Sequence, residues 1–161
     1  MNAGLRAATD TWSQTFWIRL AATDDLAAMT RLLQELFSVE TDFDFDESKQ
    51  RYGLQVLLDS PSAAVWVAEQ HGRVVGMVTV QILISTAEGG PSGLIEYLVV
   101  SPAYRRRGLG KALLNTAIKW SREQGATRTQ LLADIRNIPA LIFYRQQGWK
   151  QTNTIALRCS V

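Results

Sequence analysis

A chain of 161 residues, 47% hydrophobic and 20% charged, has room for one sizeable core and reads as a single globular domain. Its formal net charge of +2 is too small for the broad basic excess of a nucleic-acid surface, and no run nears the roughly 20 apolar residues of a membrane span. One cysteine, Cys159, excludes an intrachain disulfide and fits a reducing compartment; the expectation is a soluble cytoplasmic protein in which Cys159 is a small buried apolar side chain.

Residues 1–15 mix polar residues and lack the continuous apolar run of a signal peptide, so they are expected to form a flexible N-terminal segment ahead of one domain spanning 16–161. The run FWIRLA reads as a strand, and Thr23 with Asp24 and Asp25 as a helix start, a hydroxyl cap followed by acids. Leu26, Met29, Leu32, Leu33, Leu36 and Phe37 then recur at helical spacing. A second helix is expected from Asp46, burying Leu54, Leu57 and Leu58 and stopping at Asp59-Ser60-Pro61. Two β-rich runs, AAVWVAE and RVVGMVTVQILIS, flank Gln70-His71-Gly72, which reads as a hairpin turn exposing the only histidine. After the polar, Gly-rich residues 87–93 comes the strand LIEYLVV. A helix over 108–124 follows, stopped by Gly125, then a strand TRTQLLAD, a helix around 139–147 and a final strand over 149–158. Strands cluster early and alternate with helices late, an α/β order that predicts a mixed sheet with helices on both faces.

Between the strand LIEYLVV and the helix after it lies SPAYRRRGLGKALL. A loop that opens a helix leaves backbone N–H groups unpaired at the positive end, which suits an anion. Gly108 and Gly110 remove the Cβ atoms that would hold a bulky anion away, while Arg105, Arg106, Arg107 and Lys111 raise the local potential. A phosphate-carrying ligand fits, as does a solvated basic loop whose glycines serve only the turn. Two nucleotide motifs fail: a P-loop needs Gly where Arg105 stands and Ser or Thr where Ala112 stands, and a dinucleotide fingerprint needs Gly at Leu113.

In context, VVSPAYRRRGLGKALL resembles the acyl-CoA-binding motif of the GCN5-related N-acetyltransferase superfamily, Gln or Arg, two residues, Gly, one residue, Gly or Ala, filled by Arg105, Gly108 and Gly110. Downstream, NIPALIFYRQQGW is similar to the family's C-terminal motif through Asn137, Ala140, Tyr144, Gly148 and Trp149. The resemblance implies a mostly antiparallel central sheet with one splayed parallel strand pair. It implies acetyl-CoA as cosubstrate and no metal. The pyrophosphate would rest on the amides of Arg106, Arg107, Gly108, Leu109, Gly110 and Lys111. The pantetheine arm would pair with Leu98, Val99 and Val100 in the strand gap, with Asn137 touching it from the far side.

Acetyl transfer to an amine needs a proton removed, because an alkyl ammonium with a pKa of about 10.4 is only about one part in a thousand neutral near pH 7. By resemblance Glu96 occupies a position where some members carry a base; a structural ion pair is the other reading of a charge inside LIEYLVV. Tyr144 matches the family's proton-donor position, against a core aromatic beside Phe143. Direct attack in a ternary complex is expected, since Cys159 has no histidine near it in sequence to make it a nucleophile.

The acceptor side falls to the first two helices and the acidic connection VETDFDFDES, which either attracts a cationic amine or is a solvated face in which Asp46 caps the second helix. A small cationic amine is the favoured acceptor, with an echo of the spermidine/spermine acetyltransferase branch. A protein or peptide amine, or a non-catalytic acyl-CoA sensor module, are the alternatives. No nucleic-acid or membrane partner is expected, and analogy with the family admits a homodimer.

Overall fold

The computed structural model describes residues 16–40 and 42–160; the expected flexible segment, 1–15, lies outside the described residues. Five strands form one sheet in sequence order: β1 (Trp17–Leu20), β2 (Ala63–Gln70), β3 (Arg73–Ser85), β4 (Gly90–Val100) and β5 (Thr129–Leu131). The first three pairings are antiparallel and β4 pairs with β5 in parallel. Helices α1 (Leu26–Phe37) and α2 (Glu47–Asp59) cover one face, while α3 (Leu109–Glu123) and α4 (Ile138–Gln146) lie on the other. This is the mixed sheet with helices on both faces expected from the element order, mostly antiparallel as the family resemblance implies. No helix among the described residues is long and apolar enough to cross a membrane.

Two-residue alternation in the strands builds two cores. On β2, Val65 and Val67 face α1 and α2, whereas Ala64 and Ala68 face α3. Burying both faces explains why β2 and β3 are nearly continuous apolar runs. The β2–β3 turn is made by His71 and Gly72, both at positive φ (51° and 73°), the pairing that a two-residue hairpin requires; His71 is exposed, as expected.

Local details depart from expectation in four places. Thr23 does not cap α1; it begins a short 3-10 turn, and the Asp25 carboxylate takes the Ala22 amide at 2.8 Å while Arg19 grips both its oxygens at 2.7 and 2.9 Å. That paired arginine holds Asp25 below the usual carboxylate range. Residues 87–93 are not a loop throughout: β4 already starts at Gly90, where the chain pairs with Ser85 of β3 and continues through Pro91 opposite Ile84. The last expected strand, 149–158, is absent. Beyond Gly148 the chain runs unpaired, leaving Ile155 and Leu157 exposed, because β5 offers only a three-residue ladder and Arg158 instead binds the Asp42 carbonyl at 3.2 Å and stacks 4.4 Å over Phe43. Cys159, in the same stretch, is exposed rather than buried.

Helix α3 ends in a Schellman turn, with Gly125 at φ 83° and the Ala126 amide returning to Ser121 O at 3.0 Å. It packs so closely on β4 that a Cβ at Gly93 would sit 2.6 Å from Ser121 Oγ and 2.9 Å from Thr129 Cγ2. Gly93→Ala should therefore force α3 and β5 apart and destabilise the fold by about 1–3 kcal/mol. Urea unfolding with an unchanged midpoint would contradict this packing.

Candidate active site

The strand β4 changes phase partway along. Gly93 N donates to Arg128 O on the β5 side at 2.8 Å, whereas Ser101 N donates to Val75 O on the β3 side at 2.9 Å. Residues an even number apart would face the same edge in a regular strand, so one extra residue intervenes. The register locates it: Val78 is opposite Leu98 and Val80 opposite Ile95, so Glu96 and Tyr97 together face Thr79. Side chains switch as well, with Ile95 and Leu98, three apart, packing against the same core.

Beyond this bulge β4 loses its parallel neighbour. The ladder to β5 ends at Ile95 opposite Leu131, while β4 continues to Val100 paired only with β3. A cleft opens between Leu98 on one side and Leu132 and Ala133 on the other, lined also by Leu36, Glu40, Glu96, Asp134, Asn137, Ala140 and Tyr144. By alternation from Ser101, the N–H and C=O groups of Leu98 and Val100 point to this open edge and those of Val99 to β3. Arg105 reaches back across the edge, its Nε donating to Val100 O at 2.9 Å.

At the end of β4 the basic loop enters α3 through two left-handed residues. Arg106 and Gly108 take left-handed conformations (φ 63° and 83°), separated by Arg107, whose guanidinium lies over the Tyr104 ring. Alternating handedness turns successive N–H groups inward, the geometry of an anion nest. Ala112 N makes the first intrahelical bond, to Gly108 O, so the amides of Leu109, Gly110 and Lys111 precede it at the positive end of α3. A Cβ at Gly110 would meet Phe143 at 3.5 Å and Val100 Cγ2 at 3.9 Å, ordinary contacts, so glycine there relieves no clash.

Glu96 and Tyr144, far apart in sequence, share the cleft. Glu96 is open to solvent, yet the cleft walls strip enough water from its carboxyl to raise its pKa. Burial, with a smaller push from Glu40, raises the Tyr144 phenol to about 12. The Tyr144 ring packs against Phe143 at 5.3 Å and Trp149 at 6.1 Å. Gly148 and Trp149 close α4: Gly148 has φ 83°, and Trp149 N returns to Tyr144 O at 3.0 Å. Asn137 caps α4, its side-chain oxygen accepting from Ala140 N at 3.2 Å, and the residue lines the cleft.

The acidic connection proves heterogeneous. Asp46 caps α2 by accepting from Lys49 N at 3.1 Å, and Asp42 pairs with Arg136 at 3.1 Å. The acid of this stretch that reaches the cleft is Glu40, whose pKa is raised by burial and by Asp134 and Asp42. Asp134, held down by Arg136, lies in the same cleft and carried no signal in the sequence, nor did Thr79, Leu132 or Ala133. Phe43, Phe37 and Tyr97 form a row of rings at 5.5 and 5.6 Å beside it. Among the described residues no group of three or more His, Cys, Asp or Glu is placed to hold a metal.

The parted parallel strand pair, the helix mouth beside it and the cleft holding a carboxylate and a phenol lie together towards the end of β4. Comparison with known proteins gives the family: the model of the acetyltransferase (GNAT) family matches residues 11–149, and the chain belongs to that family. It is an N-acetyltransferase that uses acetyl-CoA as cosubstrate. The aminoalkylphosphonate N-acetyltransferase of Salmonella typhimurium is 31% identical over 136 residues, covering 84% of this chain and 86% of that protein. A transcriptional regulator from Bacillus halodurans C-125 shares the fold with a TM-score of 0.80 at 24% identity, over 91% of this chain and all of the other (100%). The aminoglycoside N-acetyltransferase AAC(6')-Iy, solved with CoA, shares it at 0.78 and 17% identity, over 91% of this chain and 95% of its own.

The left-handed backbone at Arg106 yields a test that separates conformation from charge. Arg106→Gly should keep acetyl-CoA affinity within a few-fold, whereas Arg106→Val, β-branched at φ 63°, should cost about 1–2 kcal/mol of stability and weaken acetyl-CoA binding roughly tenfold. Equal affinities for the two variants in calorimetric titration would contradict a shaped nest.

Proposed function

We propose that the protein acetylates the primary amine of a small cationic molecule by direct attack on acetyl-CoA, with Glu96 as base and Tyr144 as hydrogen-bond donor to the leaving thiolate. The observation that carries this reading is that both side chains line one cleft at the open edge of β4. The coenzyme's diphosphate would lie on the amides of residues 106–111, and its pantetheine arm along Leu98 and Val100, delivering the thioester between the parted strands. Asn137 would donate to the same arm. Arg105 would release the Val100 carbonyl as the arm arrives.

The chemistry follows from these groups. Glu96, as carboxylate, takes a proton from the ammonium, directly or through one water, offsetting the roughly 4–5 kcal/mol that keeps such an amine protonated near pH 7. The neutral nitrogen attacks the thioester carbonyl carbon, the C–N bond forms, and the C–S bond breaks to give the CoA thiolate. A phenol raised to about 12 would pass its proton to a thiolate whose thiol has a pKa of about 8.5 only at a cost of about 5 kcal/mol, so Tyr144 hydrogen-bonds the developing thiolate and keeps its proton. The thiolate collects its proton from solvent after release.

The acidic lining of the cleft supports a cationic acceptor. Glu40, Glu96 and Asp134 line it, and the first two carry carboxyls that burial disfavours as anions, so a nearby ammonium would be attracted to both. A small amine agrees with the relative from Salmonella typhimurium, named for acetylating aminoalkylphosphonates.

With a small diamine as acceptor, kcat/KM should rise with pH along a limb set by Glu96, with its midpoint above the ordinary glutamate value of about 4.3, because burial raises that pKa and the base form must be the anion. Glu96→Gln should remove that limb and lower kcat about 10²-fold, and Tyr144→Phe should lower kcat by about 10²-fold, each with acetyl-CoA affinity unchanged. Wild-type kcat in both variants across a panel of amines would remove the catalytic reading and leave a coenzyme-binding module.

A further inference from the structure

Glu96 is one of the two residues that form the β4 bulge, and the bulge has an identifiable support. Thr79 on β3 is fully buried, and its Oγ1 accepts the Tyr97 amide at 3.2 Å. The register through Met77 and Val99 would bring Tyr97 opposite Thr79 and hand that amide to a backbone carbonyl. Instead the threonine hydroxyl takes it, filling the space left where two residues of β4 oppose one of β3.

We propose that Thr79 is a positioning residue for acetyl transfer: its hydroxyl pins the β4 bulge and thereby sets both the aim of Glu96 and the outward phase of Leu98 and Val100. This rests on the transfer reading for its kinetic consequence but not for its structural one. A strand's side chains alternate with period two, so loss of the extra residue would break the present relation between Glu96 and Leu98: with the register up to Ile95 held, Leu98 would turn to the opposite face. It would likewise turn the polar groups of Leu98 and Val100 towards β3. Sequence alone gives no hint of this, since Thr79 sits inside an apolar run as one more β-branched residue.

The test compares Thr79→Val, which keeps shape and strand preference but removes the acceptor, with Thr79→Ser, which keeps the hydroxyl. Both use the full chain. Amide hydrogen exchange read by NMR should show Tyr97 exchanging roughly tenfold faster in Thr79→Val and near the wild-type rate in Thr79→Ser. With acetyl-CoA and a small diamine, Thr79→Val should lose roughly tenfold in kcat and shift the acidic limb of the kcat/KM profile, and Thr79→Ser should restore both. Wild-type exchange at Tyr97 in Thr79→Val overturns the proposal whatever the kinetics. If Glu96→Gln were itself fully active, the base assignment would fall while faster Tyr97 exchange would still support Thr79 as the pin; faster exchange with an unshifted limb and unchanged kcat, against an inactive Glu96→Gln, would overturn the positioning role.

Discussion

The site depends on one constraint: a sheet that must stay paired along β3 while coming apart between β4 and β5. Backbone polar groups buried without partners are costly, so a strand edge opened inside a protein demands something to occupy it. Here the opening begins where the β5 ladder stops at Leu131, and it is lined by cleft residues rather than by another strand. The bulge at Glu96 and Tyr97 lets β4 keep its bonds to β3 on one side while presenting Leu98 and Val100 on the other.

Two other features use the same end of β4. The loop that leaves it folds Arg106 and Gly108 into left-handed conformations just ahead of the positive end of α3. Helix α4 brings Tyr144 to the cleft from the far side, its ends fixed by the Asn137 cap and the Gly148 turn. Nest, open edge and phenol are thus placed by three separate elements that meet at one strand terminus, an arrangement suited to a long ligand with an anionic end and a reactive end.

Much of this was legible in the chain, for physical reasons that can be named. Helical spacing from Leu26 to Phe37 and the paired positive-φ residues His71 and Gly72 are local signals, and the elements they announce are present. The basic Gly-containing loop stood out because glycine and arginine together are expensive to place without purpose. What stayed hidden is non-local. Thr79 matters through a strand partner 18 residues away, Asp134 through where β5 ends, and Glu40 through burial that its acidic neighbours Asp42 and Asp46, busy with Arg136 and a helix cap, do not share. Residues 149–158 are expected to form a strand, but a local reading cannot tell whether an edge is available to pair with.

The most direct measurement is an NMR titration of the full chain with CoA, following amide shifts and hydrogen exchange along β4 and the loop after it. The amides of Leu98 and Val100 and of residues 106–111 are expected to shift, and those of Leu98 and Val100 to become protected, while β2 stays unchanged. Saturable CoA binding that leaves these amides unmoved and as exchangeable as before would contradict the open strand edge and the amide nest as the coenzyme site.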